Sequence, residues 1–88
     1  MSNETKIEET QWFLKIMDEK LLKNSHKTGW NSCSISYLFE SLEREVRELR
    51  NSFINGESPS SKIRECADIA NFAMMIADKI RTLERSDK

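Results

Sequence analysis

The chain has few of the residues that build turns and sheets. It holds only two glycines and one proline in 88 residues, and no run of alternating β-branched residues. Phosphate-binding glycine loops and β-hairpins depend on those residues and patterns. Their scarcity argues against a β-sheet protein, and the sequence therefore predicts an all-α fold built from long helices.

Cysteine and histidine are also too scarce for the sites that they usually form. Cys33 and Cys66 are far apart and make no C-x-x-C motif, so neither a zinc site nor a disulfide framework is indicated. A Cys33 nucleophile would need His26, the single histidine, together with a third orienting group. No such group is evident, and we interpret Cys66 as a small buried hydrophobe.

The charges show no excess of one sign. Fourteen Lys and Arg residues face 15 Asp and Glu residues, whereas a protein that binds nucleic-acid polymers or membrane surfaces normally carries a basic excess. The longest apolar run, Phe72 to Ala77, is too short to span a bilayer, and the polar N-terminus is unlike a signal peptide. We expect a soluble, cytoplasmic protein that forms a single domain over residues 1–88.

Apolar spacing and boundary residues predict three helices. Ser34, or alternatively Ser36, is suited to cap the second helix, and Asn55-Gly56 to end it. Gly29 is the expected turn residue of the preceding loop. The predicted elements are a fraying segment over residues 1–6, a helix over 7–23, a loop over 24–31, a helix from 34 to about 54, a connector over 57–61 and a third helix to about 83.

The short connector predicts that the second and third helices form an antiparallel hairpin. The apolar stripe expected to face inward on the second helix consists of Ile35, Leu38, Phe39, Leu42, Val46, Leu49 and Phe53. The third helix is apolar on nearly every side, and two other helices in one chain can hardly cover it. We therefore expect a homodimer or homotetramer in which these helices from two chains form a four-helix bundle.

Two pairs of acidic residues break the apolar pattern of this hairpin. Glu65 and Asp68 lie three residues apart in the third helix, and Glu45 and Glu48 have the same spacing in the second. Carboxylates are rarely buried without a partner or a metal ion. Four of them facing each other across the hairpin would repel, and Mg²⁺, or alternatively Mn²⁺, is the hard cation that suits such oxygen ligands.

A simpler interpretation applies to the E-x-x-E pair taken alone, whereas E-x-x-D inside an apolar helix is less common. E-x-x-E occurs by chance in helices rich in charge, where it marks an exposed face. Arg44, Arg47 and Arg50 favour that interpretation for Glu48 in particular. If all four acids make only surface ion pairs, neutralising any one of them would change the stability little.

The motifs together resemble those of the MazG-type, all-α nucleoside triphosphate pyrophosphohydrolases. The likeness rests on Glu45-x-x-Glu48, a spacer from Leu49 to Arg64, and Glu65-x-x-Asp68. The flanking sequence is similar as well, over roughly residues 26 to 80. It includes Gly29-Trp30, Tyr37-Leu38, Leu42 before the first motif, and the run from Ala67 to Asp78.

This resemblance implies Mg²⁺-dependent hydrolysis of an NTP or dNTP to a nucleoside monophosphate and pyrophosphate, as in house-cleaning enzymes. It implies that Glu45, Glu48, Glu65 and Asp68 bind the metal, and we assign Glu48 as the base that accepts the proton of the attacking water. The residues assigned to substrate binding are Trp30, Asn71 and Lys79.

Alternatives remain for these residues and for the protein. Trp30 could instead seal the junction of the first two helices, and Lys79 could be a solvated lysine. The family often places a second acid just before the first motif, where this chain has Arg44. The alternative function is a non-catalytic helical module that binds a partner protein or senses nucleotides on the same scaffold.

Overall fold

The computed structural model describes residues 2–23 and 29–86, with side chains over 7–23 and 29–84. These ranges contain three α-helices, one short 3-10 turn at Trp30–Ser32, and no strand, which confirms the predicted all-α fold. The helices are α1 (Ser2–Lys23), α2 (Ile35–Ile54) and α3 (Pro59–Ser86). None of the described helices has the length and apolar character needed to cross a bilayer. Most of the predicted loop over 24–31, with His26, lies outside the described residues.

The ends of α2 are set by the residues expected from the sequence. The Ser34 Oγ accepts a hydrogen bond from the backbone N–H of Tyr37 at 3.0 Å, so Ser34 is the N-cap. At the other end, Gly56 has a φ of +66°, and the N–H of Glu57 donates to the carbonyl of Ser52 at 2.9 Å. This left-handed ending satisfies carbonyl groups that a helix would otherwise leave unpaired.

The other helix boundaries differ from the prediction by a few residues. α3 begins at Pro59, inside the connector predicted over 57–61, because Ser58 caps it through a 3.1 Å bond from the Ser61 N–H. Proline suits the first helical position, where its missing N–H costs nothing. α1 begins at Ser2, within the segment expected to fray, and α3 continues to Ser86.

α2 and α3 form an antiparallel hairpin, as predicted. The Lys62 Nζ lies 4.3 Å from the Phe53 ring centroid near the connector, and Leu38 belongs to the same buried cluster as Met75 at the far end. α3 also packs against α1, whereas no Cα atom of α1 lies within 8 Å of one of α2 in the described ranges. α3 is therefore the central helix of the chain.

The face that α2 turns toward α3 matches the predicted apolar stripe only in part, through Leu38, Ile35 and Leu42. Leu38, Ser41 and Ser52 are buried, while three members of the stripe stay exposed, by 47% at Phe39, 39% at Val46 and 61% at Phe53. Small serine side chains allow two helices to approach closely, so α2 packs through the edge of its stripe that carries the serines. The large apolar side chains on the opposite edge are left on the surface.

Candidate metal and substrate site

The hairpin brings together acidic residues from both of its helices. Glu45 comes from the middle of α2, and Glu65 and Asp68 come from the first half of α3. One carboxylate oxygen from each of the three lies within 4.8 Å of the others. Ligand oxygens lie about 2.0–2.6 Å from Mg²⁺ or Ca²⁺, so oxygens that share one ion are about 4–5 Å apart when opposite. We call these three residues the acid cluster.

Several oxygens at the acid cluster lack partners within the described structure. Oε1 of Glu45 and Oε1 of Glu65 are buried and accept no hydrogen bond of regular geometry there, although the two carboxyl groups are near enough for a side-chain hydrogen bond between them to lower the pKa of Glu65. Oγ of Ser41, one turn before Glu45, and Oδ1 of Asn71, one turn after Asp68, are also buried there without a bond. Buried polar atoms are nearly always bonded, so the oxygens of Glu45 and Glu65 fit either a cation between them or a proton that the two carboxyl groups share.

Burial and mutual repulsion make these carboxylic acids weaker. Burial raises the pKa of Glu45 from 4.5 to about 7, aided by the charges of Glu48, Asp68 and Glu65 and opposed by Arg44. The pKa of Glu65 is raised first by burial and then by Glu48 and Asp68, against the effects of Lys20 and of a side-chain hydrogen bond with Glu45. A divalent cation would reverse these shifts because it favours the charged form of each ligand.

The pKa of Asp68 is raised by burial as well, but a lysine opposes the shift. The Lys20 Nζ lies 3.3 Å from Oδ2 of Asp68, and the two side chains are only 19% and 15% exposed. Lys20 belongs to α1, so the first helix reaches the acid cluster through this contact. The sequence did not reveal this contact of Lys20, because a lysine beside the apolar face of an amphipathic helix gives no sign of a partner far along the chain.

Glu48, the predicted catalytic base and fourth metal ligand, lies at the edge of this arrangement. It is exposed one turn after Glu45 and is not among the three carboxylates whose oxygens converge. Its charge nevertheless raises the pKa values of Glu45, Glu65 and Asp68. Glu48 is therefore near enough to act on the acid cluster electrostatically, and its catalytic role stays a prediction.

Trp30 has a packing role in the structure. It is half-buried against the core, and its Nε1 donates a 3.0 Å hydrogen bond to Oδ2 of Asp78. This contact joins the 3-10 turn to α3. The alternative interpretation placed Trp30 at the junction of the first two helices, whereas this bond attaches it to the third; the bond does not itself test stacking on a nucleobase.

Trp30 also lines a cavity of about 80 Å³ between the 3-10 turn, α2 and α3. Tyr37 and Phe72 contribute two more aromatic rings, and Arg44 lies at the same cavity. None of the three acid-cluster residues lines this cavity, but Phe72 is about one helical turn beyond Asp68 and Arg44 directly precedes Glu45 along the chain. The cavity is smaller than the roughly 300 Å³ at which ligand pockets usually begin, so a ring could enter only in part.

The other two predicted substrate residues also make bonds within the chain. Asn71 is buried, and its Nδ2 donates to the carbonyl of Met17 at 3.0 Å. The Lys79 Nζ donates to the carbonyl of Asn31 at 2.9 Å, so it is not a solvated lysine without a contact. Lys79 lies about 16 Å along α3 from Asp68 at 1.5 Å per residue, whereas Asn71 is one turn away.

The described residues form an all-α fold with three converging carboxylates between two antiparallel helices. No protein-family model, curated protein or solved structure matches the chain. Membership of the MazG-type family therefore stays a hypothesis, which the two acidic motifs and their flanking sequence support.

Proposed function

We propose that this protein is a Mg²⁺-dependent nucleoside triphosphate pyrophosphohydrolase. The observation that carries the proposal is the convergence of Glu45, Glu65 and Asp68 within 4.8 Å, at partly buried positions between α2 and α3 that we call the groove. This donor set consists of carboxylates alone, which is the chemistry that Mg²⁺ prefers and that Mn²⁺ also accepts. A cavity lined by aromatic residues and an arginine shares no residue with the acid cluster, but its lining residues Arg44 and Phe72 are close to Glu45 and Asp68 along the chain.

The reaction adds water to the linkage between the α- and β-phosphates. When bound, the metal ion would offset phosphate charge and make a bound water more acidic. Glu45, Glu65 and Asp68 would hold it, with Glu48 as the fourth ligand. The exposed carboxylate of Glu48 accepts the proton of the attacking water, the new P–O bond forms, and the bridging P–O bond breaks to release pyrophosphate.

The substrate would extend from the acid cluster toward the cavity. Arg44 is suited to a phosphate oxygen because its guanidinium donates two parallel hydrogen bonds. Trp30, Tyr37 and Phe72 offer aromatic surface for the edge of a nucleobase. Asn71 would act at the ribose or a phosphate. Lys79 would have to leave the carbonyl of Asn31 to neutralise phosphate charge.

The protein would act as a homodimer or homotetramer with a four-helix-bundle core. Phe39, Val46 and Phe53 recur every seven residues along α2 and remain exposed in one chain. Such a spacing places them on one edge of the helix, as in packed helical bundles. A second copy of the hairpin would bury this edge and complete the core.

The enzymatic proposal is tested by measuring pyrophosphate release from a panel of NTPs and dNTPs with Mg²⁺. Glu48→Gln and Asp68→Asn should abolish the release. Glu43→Gln should retain it, because Glu43 is an exposed acid of the same helix outside the acid cluster. A protein that binds Mg²⁺ normally and cleaves none of these nucleotides would contradict the proposal.

The second candidate is a non-catalytic interaction or nucleotide-sensing module. The bonds from Trp30 to Asp78 and from Lys79 to Asn31 favour it, since both predicted substrate residues already have structural roles. Thermal melts with Mg²⁺ and nucleotide separate the candidates, because a ligand of the folded state raises the melting temperature. A melting temperature unchanged by millimolar Mg²⁺ would favour the interaction module.

A further inference from the structure

One cationic side chain from outside the hairpin reaches the acid cluster. Lys20 extends from α1, and its Nζ lies 3.3 Å from Oδ2 of Asp68. Both side chains are mostly buried, whereas Lys15 and Lys23 of the same helix are exposed. A long lysine side chain loses rotamer freedom when it is held in this way, so the contact must offer a compensating attraction.

The attraction comes from negative charge gathered in the groove. The charge of Glu48 acts on Glu45, Glu65 and Asp68, that of Asp68 acts on Glu45 and Glu65, and Lys20 opposes these effects at both Glu65 and Asp68. The nearby cations Arg44 and Arg64 belong to the hairpin itself. Lys20 is therefore the counter-ion that α1 supplies to the groove.

A divalent cation and this ammonium group would compete for the same oxygen. An ion bound to Asp68 would lie about 2.0–2.6 Å from its oxygen, and Lys20 already lies 3.3 Å from Oδ2. Like charges so close repel strongly in a partly buried groove, where water screens them poorly. Ammonium binds as a mobile point charge, so Lys20 can leave without a change in the helix backbone.

We propose that Lys20 is an internal competitor of the divalent cation at Asp68. In the cation-free protein, Lys20 neutralises part of the groove; when the cation binds, the lysine leaves Asp68. The bond from Asn71 to the Met17 carbonyl keeps α1 in place during this exchange. Lys20 is thus a positioning residue that sets the cation affinity, and this inference rests on the metal site of the proposed function.

The test is a titration of the cation-free protein with Mn²⁺, in which free Mn²⁺ is followed by electron paramagnetic resonance without nucleotide. Lys20→Met keeps the apolar stem and removes the charge, and it should bind Mn²⁺ roughly ten-fold more tightly than wild type. Lys20→Arg keeps the charge, and Lys23→Met removes an exposed charge of the same helix. Both should stay near the wild-type affinity.

The outcomes separate this inference from the proposed function. Wild-type binding with an equal or weaker affinity in Lys20→Met overturns the competition alone. Failure of both proteins to bind Mn²⁺ overturns the competition and the metal site together. Binding of Mn²⁺ by Lys20→Met but not by wild type supports the competition, and it shows that Lys20 excludes the cation when no nucleotide is present.

A second measurement uses the wild-type protein, so it tests the competition even if Lys20→Met does not fold. The side-chain Cε signal of Lys20 in the wild-type NMR spectrum should shift as Mg²⁺ is added, while that of Lys23 stays in place. A Lys20 signal that does not move at saturating Mg²⁺ would overturn the competition.

Discussion

The side-chain amide of Asn71 donates a 3.0 Å hydrogen bond to the backbone carbonyl of Met17. Asn71 is only 3% exposed, so this bond between α3 and α1 is shielded from water. Asp68 lies one turn before Asn71, and Lys20 lies one turn after Met17. The bond therefore holds the two helices in register where the lysine meets the acid cluster.

Replacing Asn71 should loosen α1. In Asn71→Ala, the bond to Met17 is lost, and we expect a decrease of about 1–2 kcal/mol in the free energy of unfolding. Urea unfolding measures this loss, and amide hydrogen exchange should show faster exchange in α1. The matched variant Asn51→Ala, at an exposed position of α2, should change stability by less than about 0.5 kcal/mol. Equal losses in the two variants would contradict the structural role of Asn71.

Removing one charge from the acid cluster should remove the effect of Mg²⁺ on stability. Wild type at a Mg²⁺ concentration ten times its dissociation constant should gain about 1.4 kcal/mol, or several degrees in melting temperature. Glu65→Gln should lose most of this gain, because a neutral amide is a weaker ligand. Thermal melts with and without Mg²⁺ provide the measurement, with Glu43→Gln as the control. The same gain in Glu65→Gln as in wild type would argue against the metal site.

The stability of the cation-free protein should depend on pH through Glu45. Its pKa is about 7 in the folded protein and 4.5 ordinarily, so between these values the folded state binds more protons than the unfolded state. The free energy of unfolding should therefore fall as the pH rises from 4.5 to 7 and level off above. Urea unfolding at several pH values in a chelator should show a steeper fall in wild type than in Glu45→Gln. Parallel profiles would show that Glu45 titrates normally.

The core should be sensitive at the few residues that are fully buried. Leu38 is 1% exposed and contacts the buried part of α3, so Leu38→Ala should cost about 2–5 kcal/mol through lost burial and a new cavity. Leu83 is 57% exposed, and Leu83→Ala should cost less than about 0.5 kcal/mol. Urea unfolding gives both values, and similar costs would show that the hairpin packs through another face.

The exposed edge of α2 should mediate self-association. Wild type should sediment as a dimer or tetramer, and Val46→Glu should yield a folded monomer, because a charge at the centre of the edge resists burial. Arg47→Glu changes the charge of the next, exposed residue and should leave the assembly intact. Analytical ultracentrifugation distinguishes these states. A wild-type monomer at micromolar concentration would exclude this interface.

The local features of the fold could be predicted from the sequence. Ser34 caps α2 and Gly56 ends it because the side-chain oxygen and the left-handed backbone are properties of those residues themselves. The three-residue spacing of Glu65 and Asp68 likewise fixes their common side once the segment is helical. The short connector then made the antiparallel hairpin predictable.

Features that depend on packing between helices were harder to predict. Apolar periodicity predicted that Phe39 and Val46 are buried. The side of α2 that faces α3, however, depends on how closely the two helices can approach each other. Ser41 and Ser52 lie on the same side of α2 as Glu45. This line of small residues was the sequence signal for the side of α2 that packs against α3. No comparable signal marked Lys20, because its position at Asp68 depends on how α1 packs against α3.

The connection from Asn55 to Ser58 has a consequence for the order of folding. Closing so short a loop costs little chain entropy, and contacts between neighbouring segments form fastest. We therefore expect the carboxylates of α2 and α3 to meet in an early hairpin, before α1 joins it. A divalent ion present while the chain folds would therefore bind between the carboxylates before Lys20 arrives to compete for Asp68.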